Sequence, residues 1–174
     1  MSVVSIRPAT SADIPAITRV YAHAVRHGTA SFELEPPDEA EMTRRQGALL
    51  EGGYPYLVAE IDGVVAGYAY AGPYRTRPAY RYTVENSIYI APEAHRRGVG
   101  RALLDRLITE CEARNYRLMI AVIGDSAQKP SIELHRGAGF KMVGALEAVG
   151  YKFDRWLDSV LMQRPLGKGS SAPP

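Results

Sequence analysis

The stretch HRRGVGRALL (residues 95–104) lies in the middle of the chain, directly before an apolar helical pattern. Its glycines, Gly98 and Gly100, carry no side chains that would keep an anion away from the backbone amides. The first turn of a helix exposes unpaired N–H groups and carries a partial positive charge, so it accepts phosphate readily. Positive charge is added by Arg96, Arg97 and Arg101. The stretch therefore predicts a phosphate-binding loop at the start of a helix.

Two other phosphate-binding motifs agree less well with this stretch. A P-loop ends in Lys followed by Ser or Thr, and neither residue type follows Gly100. A dinucleotide-binding fingerprint needs a third glycine, where this chain has Leu103, and it follows the first strand of its fold. Asp125, after the next predicted strand, is the one feature that favours a dinucleotide. On the local sequence alone, a surface turn with solvated arginines also stays open.

Outward from this loop, the pattern of apolar residues predicts a mixed α/β sheet. Alternation predicts a hairpin around Asp62 and Gly63, and helical spacing follows a capping box at Thr10–Asp13. The continuous apolar run at 118–123 predicts a central strand buried on both faces. The predicted elements are strands at 4–6, 56–61, 64–70, 82–90, 118–123, 140–143 and 153–162, and helices at 14–25, 38–51, from 98 onward and 127–138.

Length and composition indicate an ordinary globular domain. The 174 residues are 46% hydrophobic and 23% charged, and we expect one domain over 1–166 and a disordered Gly/Ser/Pro tail over 167–174. A formal net charge of +2 without a long Lys/Arg run argues against nucleic acid as a partner. No apolar run is long enough to span a bilayer, which argues against a membrane partner. Cys111 is the only cysteine, so we expect no disulfide, no bound metal and a cytoplasmic location.

Four stretches, in the same order along the chain, resemble the GNAT family of acetyl-CoA-dependent N-acetyltransferases. The resemblance is strongest to its phosphinothricin and methionine sulfoximine acetyltransferase branch, and it covers nearly the whole chain. The family's diphosphate loop reads Gln/Arg-x-x-Gly-x-Gly/Ala, and only His95 departs from it, so no role is carried over to His95. The matching stretches are TASFELEPP (29–37), GPYRTRPAYRYTVENSIYIAPEAHRRGVG (72–100), SIELHRGAGF (131–140) and GYKFDRWLD (150–158).

This resemblance implies a fold and a coenzyme. The implied fold is a central mixed, mostly antiparallel sheet of about seven strands flanked by about four helices, with coenzyme A bound where two central strands splay apart. Acetyl-CoA is the implied co-substrate: loop amides hold its diphosphate, and free backbone groups of the splayed strand bind its pantetheine. The implied coenzyme-binding residues are Ile88, Tyr89, Ile90, Arg96, Arg97, Gly98, Val99, Gly100, Arg101, Gln128 and Ser131.

Glu85 is the candidate general base for acetyl transfer, which must remove a proton from the acceptor's ammonium group. It lies in the middle of a predicted strand, where glutamate is disfavoured, and alternation places it on one face with Ser87 and Tyr89. The family resemblance also implies a functional glutamate at this position. A solvated sheet face is the alternative.

His135 matches the family's histidine in the pattern Ser-x-x-Leu-His, and the resemblance implies a second base or a group that binds substrate, with a structural histidine as the alternative. Acceptor recognition is expected from two arginines before the Glu85 strand, because guanidinium groups bind carboxylates or phosphinates bidentately. The candidate substrate-binding residues are Phe32, Arg75, Thr76, Arg77, Glu85, Asn86 and Ser87.

These expectations combine into one predicted function. We predict direct transfer of acetyl from acetyl-CoA to the amino group of a small amino-acid-like acceptor, of the phosphinothricin or methionine sulfoximine type. The sequence contains no apparent activated cysteine or serine, so we expect no acyl-enzyme intermediate. Trp156 lies in a stretch shared with relatives that are homodimers, so the resemblance implies a homodimer, with Trp156 either at its interface or in the core. The alternatives are a polyamine or a protein N-terminus as acceptor, or a coenzyme-binding sensor without catalysis.

Overall fold

The computed structural model describes residues 3–174 as a seven-stranded sheet with four α-helices packed around it. The elements follow one another in the predicted order, so the predicted mixed sheet is confirmed. The strands are β1 (Val4–Pro8), β2 (Tyr56–Ile61), β3 (Val64–Pro73), β4 (Thr83–Ile90), β5 (Leu118–Gly124), β6 (Lys141–Lys152) and β7 (Arg155–Pro165). The helices are α1 (Ile14–His27), α2 (Glu39–Glu51), α3 (Val99–Ala113) and α4 (Lys129–Gly137).

The sheet has the order β1-β2-β3-β4-β5-β7-β6, in which β4 and β5 are parallel and the other neighbours antiparallel. Helix α3 forms the crossover between β4 and β5, as parallel neighbours require. Their pairing ends at Asn86 with Ala121, although β4 runs on to Ile90 and β5 to Gly124. The two strands therefore part beyond Asn86, at the centre of the sheet.

The helices cover both faces of the sheet. On one face, Tyr21 of α1 packs edge-on against Tyr89 of β4, with ring centroids 4.8 Å apart, and α2 packs beside α1. On the other, His135 of α4 lies 3.0 Å from Asn86 of β4, and α3 packs along β3 and β4. We call these the α1/α2 face and the α3/α4 face. Alternation along β4 therefore directs Glu85 to the α1/α2 face and Asn86 to the α3/α4 face.

Helix α1 follows the predicted capping box. The amide of Thr10 donates to the Asp13 carboxylate at 2.7 Å, and Arg7 of β1 donates to the same carboxylate at 2.8 Å. The hydrogen bonds from Arg7 lower the pKa of Asp13 to about 2. The apolar stripe of α1 then packs on the sheet through the buried residues Ile14, Ile17, Val20, Tyr21 and Val25.

Strand β5 is not buried on both faces, contrary to the prediction from its apolar run. Val122 is 39% exposed, although it lies in a central strand. Glu85 is in register with Ile120, so Val122 shares the α1/α2 face with Glu85. Beyond Asn86 the pairing with β4 ends, which leaves Val122 exposed on that face.

The closing hairpin is longer than its apolar pattern predicts. Strand β6 extends to Lys152 and β7 to Pro165, and a turn with positive φ at Phe153 (53°) and Asp154 (56°) joins them. An irregular register in β6 interrupts the alternation of its side chains. Periodicity therefore predicts two short strands where the structure has one long hairpin.

In the segment 167–174, for which disorder stays a prediction, residues 167–170 form turns, and Arg117 donates to the carbonyl of Pro173 at 2.8 Å. Within residues 3–174, no helix combines the length and the apolar character that a membrane crossing requires. The same part of the chain has no cluster of three or more His, Cys, Asp or Glu side chains arranged for a metal ion.

Candidate active site

Glu85 lies at the centre of the sheet, one residue before the point where β4 and β5 part. Its side chain is partly buried on the α1/α2 face, and burial raises the pKa of its carboxyl above the usual value. The positive charge of Arg75 acts in the opposite direction and limits that rise. A carboxyl with a pKa displaced toward neutrality is suited to accept a proton from an ammonium group. Glu85 therefore has the placement and the electrostatics of a general base.

Tyrosine rings cover the α1/α2 face beside Glu85. Ser87, the next residue of β4 on this face, is paired in register with Tyr70 of β3. Tyr70 stacks on Tyr56 at 5.1 Å between ring centroids. Burial raises the pKa of Tyr21, which contacts this cluster, to about 12. No spacing in the sequence predicts this cluster, and the chain's 11 tyrosines are the one signal for it.

The predicted acceptor-binding arginines lie in the connection between β3 and β4. Arg75, Thr76 and Arg77 are all exposed there. The Arg75 guanidinium lies over the ring of Tyr74, 5.2 Å from its centroid, and its charge acts on Glu85. The charge of Arg75 thus acts on the candidate base, and Thr76 and Arg77 lie on the same exposed connection. Such a site suits an acceptor that carries an anionic group.

His135 of α4 lies on the α3/α4 face, so the structure does not bring it together with Glu85. The Nε2 atom of His135 is 3.0 Å from Asn86 Oδ1, and its Nδ1 atom is 2.8 Å from the Ser131 carbonyl oxygen. Asn86 Nδ2 donates to the carbonyl of Ile120 on β5 at 3.1 Å. Burial lowers the pKa of His135. The contacts of Asn86 with His135 and with Ile120 join α4 to both central strands where their pairing ends.

The loop before α3 has the geometry expected of a diphosphate site. Gly98 has a φ of 81°, in the left-handed region, and α3 begins at the next residue, Val99. Among the described residues, no atom lies within 4 Å of a Cβ built at Gly98, so open space adjoins this backbone. Arg96 and Arg97 are exposed beside it. Free helical amides, open space and positive charge fit an anionic group.

The gap between β4 and β5 adjoins this loop. A Cβ built at Gly100 would lie 3.3 Å from Leu134 of α4 and 3.9 Å from Ile90 of β4, so Gly100 lets α3 pack closely against both. Residues Ile88–Ile90 lie beyond the last pair with β5. Within residues 3–174, the backbone of this segment therefore has no strand partner on its β5 side. It can bind an extended ligand that lies between the two strands.

The remaining predicted coenzyme residues make contacts inside the protein. Arg101 forms an ion pair with Asp105 at 2.7 Å, one turn along α3. Gln128 Nε2 donates to the hydroxyl of Thr29 at 3.0 Å, which links the start of α4 to the connection between α1 and α2. Ser131 contributes its carbonyl oxygen to the histidine of α4. The Arg101 guanidinium and the Gln128 amide are thus both engaged by protein groups.

Phe32 lies in the connection between α1 and α2, against the end of β5. A Cβ built at Gly124 would lie 2.8 Å from the Phe32 ring, and one built at Gly150 would lie 2.5 Å from it. The ring therefore occupies a notch that glycine leaves open on both sides. It is still 39% exposed, so it can contact a ligand on the α1/α2 face. Lys152, at the end of β6, donates hydrogen bonds to this connection. The apolar pattern did not predict the position of Lys152, because the irregular register of β6 interrupts the alternation of that strand.

Comparison with known proteins identifies the family. The "Acetyltransferase (GNAT) family" profile matches residues 18–140, and the chain belongs to this family. It is an acetyl-CoA-dependent N-acetyltransferase.

Three similar proteins cover most of the chain. Over 170 residues it is 54% identical to the phosphinothricin N-acetyltransferase of Alcaligenes faecalis, covering 98% of this chain and 86% of that protein. It is 42% identical to the L-methionine sulfoximine/L-methionine sulfone acetyltransferase of Salmonella typhimurium, covering 93% of this chain and 94% of that protein. It is also similar to a phosphinothricin acetyltransferase from Sinorhizobium meliloti, whose crystal structure is a complex with acetyl-CoA. The sequences are 48% identical, the TM-score is 0.96, and the match covers 98% of this chain and 92% of that chain.

Proposed function

We propose that this protein transfers acetyl from acetyl-CoA to the amino group of a small amino-acid-like acceptor of the phosphinothricin or methionine sulfoximine type. The observation that carries the proposal is the partly buried carboxyl of Glu85, which lies on the α1/α2 face beside the gap between β4 and β5. The activities for which the relatives are named support this acceptor class.

In the proposed reaction, the acceptor's ammonium group loses a proton to the Glu85 carboxylate, directly or through water. The amine nitrogen then forms a C–N bond with the thioester carbonyl carbon. The C–S bond breaks with its electron pair on sulfur. The positively charged nitrogen of the adduct then loses its second proton, which leaves a neutral amide, and the thiolate takes up that proton to give free coenzyme A. Backbone N–H groups in Ile88–Ile90 stabilise the carbonyl oxygen as it gains negative charge.

Coenzyme binding is assigned to the loop before α3 and the open edge of β4. The amides of Gly98, Val99 and Gly100 bind the diphosphate, and the guanidinium groups of Arg96 and Arg97 add attraction. Arg101, Gln128 and Ser131 border the coenzyme. Their polar groups also hold α3, α4 and the α1–α2 connection in place.

Acceptor binding is assigned to a cleft on the α1/α2 face, beside Glu85 and Val122. Arg75 and Arg77 bind the acceptor's carboxylate or phosphinate, with Thr76 beside them, and Ser87 lies next to the base. Phe32 forms one wall of this cleft. Both polar atoms of the Asn86 side chain are used by His135 and Ile120, so Asn86 is left to contribute through its backbone. His135 then supports catalysis by holding Asn86 where the strands part.

An acceptor screen tests the proposal. The purified protein is mixed with acetyl-CoA and one of several amines: L-amino acids, methionine sulfoximine, phosphinothricin, spermidine or a peptide with N-terminal alanine. Free coenzyme A is measured with a thiol reagent, and the acetylated product is identified by mass spectrometry. We expect turnover with the sulfoximine and the phosphinate. Turnover with spermidine or the peptide alone would contradict the acceptor class, and calorimetric binding of acetyl-CoA without any turnover would indicate a sensor.

We also propose that the protein acts as a homodimer in the cytoplasm, where acetyl-CoA is available. Trp156 is 65% exposed and packs edge-on against Tyr151 on the hairpin, 5.2 Å between ring centroids. A concentrated apolar surface of this kind marks a protein interface. The hairpin's exposed apolar residues are Met142, Val143, Leu146, Val149, Tyr151, Phe153 and Trp156. Light scattering should show a dimer that Trp156→Glu converts to a monomer, and a monomeric parent protein would refute this assignment.

A further inference from the structure

Lys152, at the end of β6, is a buried cation with only 4% of its surface exposed. Its ammonium group donates hydrogen bonds to the carbonyl oxygens of Gly28 at 2.9 Å and Ser31 at 2.8 Å. Burial lowers the pKa of Lys152, and the negative charge of Glu33 acts in the opposite direction. A buried ammonium group is costly unless its hydrogen bonds are satisfied. Lys152 is therefore committed to holding the backbone of residues 28–31.

These residues belong to the connection between α1 and α2, which crosses the end of β5. A Cβ built at Gly124, the last residue of β5, would lie 2.2 Å from the Thr29 carbonyl oxygen. The backbone of the connection therefore passes directly over this strand. Alternation places Gly124 on the same face as Ile120, the register partner of Glu85. The connection thus lies on the α1/α2 face, which carries Glu85, and it crosses that face at the last residue of β5.

Other side chains hold the neighbouring parts of the connection. Tyr21 forms a hydrogen bond with the Ser31 hydroxyl at 2.9 Å and donates to the Glu33 carboxylate at 2.7 Å. Lys152 bonds the carbonyl of Ser31, which directly precedes Phe32. The direction in which the chain enters Phe32 therefore depends on Lys152. The exposed part of the Phe32 ring depends in turn on that direction.

We infer that Lys152 is a positioning residue for acceptor recognition: its buried ammonium group fixes the α1–α2 connection so that Phe32 forms a wall of the acceptor cleft. The inference rests on the proposed function, because it assigns the cleft to an amine acceptor. Lys152 takes no part in proton transfer or in coenzyme binding. Its loss should therefore weaken acceptor recognition selectively.

Three variants test this assignment: Lys152→Met, Phe32→Ala and the double variant. Lys141→Met, at an exposed position of the same strand, is the matched control. In Lys152→Met we expect the KM for the acceptor to rise at least about tenfold, with kcat and the Kd for acetyl-CoA within about twofold of the parent protein. If Lys152 acts through Phe32, the Lys152→Met substitution should raise the acceptor KM only a little further in a protein that already carries Phe32→Ala. An unchanged acceptor KM, or a parallel loss of acetyl-CoA binding, would overturn the inference.

Hydrogen exchange separates failure of the inference from failure of the proposed function, because it needs no substrate. In Lys152→Met, amides of residues 28–33 should exchange faster than in the parent protein, and amides of α3 should not. The control Lys141→Met should leave both segments unchanged. Unaltered exchange over 28–33 would refute the positioning role even in a protein that acetylates no amine. If Lys152→Met does not fold, Lys152→Arg, which keeps the charge, should give the same local change in smaller measure.

Discussion

Glu85 and Asn86 are neighbours on β4, and their side chains serve opposite faces of the sheet. Glu85 lies on the α1/α2 face, where burial raises the pKa of its carboxyl. Asn86 lies on the α3/α4 face, where it joins His135 of α4 to Ile120 of β5. Both residues stand at the point where the central strands part. Proton transfer and the shape of the gap should therefore respond to different substitutions.

Glu85→Gln should remove the base and leave the coenzyme site intact. We expect kcat to fall by about 10²- to 10⁴-fold, the usual contribution of general base catalysis. The Kd for acetyl-CoA, measured by calorimetry, should stay near the parent value because glutamine preserves the shape of the side chain. Glu51→Gln, at the exposed end of α2, is the control and should keep full activity. A variant as active as the parent would remove Glu85 from the role of base.

Arg75→Gln should shift the pH dependence of kcat. The Glu85 carboxyl must be ionised to accept a proton, so activity is lost as the pH falls through its pKa. The charge of Arg75 lowers that pKa against the effect of burial, and its removal lets the pKa rise further. The acidic limb of the profile should therefore move to higher pH. Arg81→Gln is the control, because the Arg81 guanidinium lies over a different ring, that of Tyr82, 4.7 Å from its centroid. An acidic limb that moves to lower pH in Arg75→Gln would contradict the assignment.

Asn86→Leu should destabilise the fold and weaken coenzyme binding together. It leaves the Ile120 carbonyl and a His135 ring nitrogen without their partner, which costs about 1–3 kcal/mol for a buried polar group. The unfolding free energy from urea titration measures this loss, and calorimetry with acetyl-CoA measures the second effect. In a double-mutant cycle with His135→Leu, the two stability losses should be less than additive. Strict additivity would show that the Asn86–His135 contact carries no energy.

Gly98→Ala and Gly53→Ala form a matched pair. Both glycines have positive φ values, 81° and 77°, and a Cβ built at either position meets no atom of the described residues within 4 Å. Each substitution should therefore cost about 1 kcal/mol of stability through the left-handed backbone alone. Only Gly98→Ala should also weaken acetyl-CoA binding, because its methyl group adjoins the proposed diphosphate site. Equal acetyl-CoA affinity in the two variants would move the diphosphate away from this loop.

Local sequence was sufficient for much of the fold. The order of the elements, the loop before α3 and the face of β4 that carries Glu85 all follow from residues close together in the chain. Helical spacing, strand alternation and the exposed amides of a first helical turn are properties of short segments, so they can be read without knowing the partners. The same patterns predicted the wrong burial for Val122, because burial depends on whether the neighbouring strand stays alongside.

The tertiary structure alone decided which side chains meet. His135 contacts Asn86 across 49 positions of sequence, and Lys152 holds Gly28 across 124. No periodicity relates such residues, because each meeting depends on where whole elements pack and where β4 and β5 separate. The sequence by itself therefore determined a GNAT-type arrangement with a loop for an anion and a carboxylate in mid-strand. The placement of His135 opposite that carboxylate, and of Lys152 beneath the α1–α2 connection, was set by long-range packing.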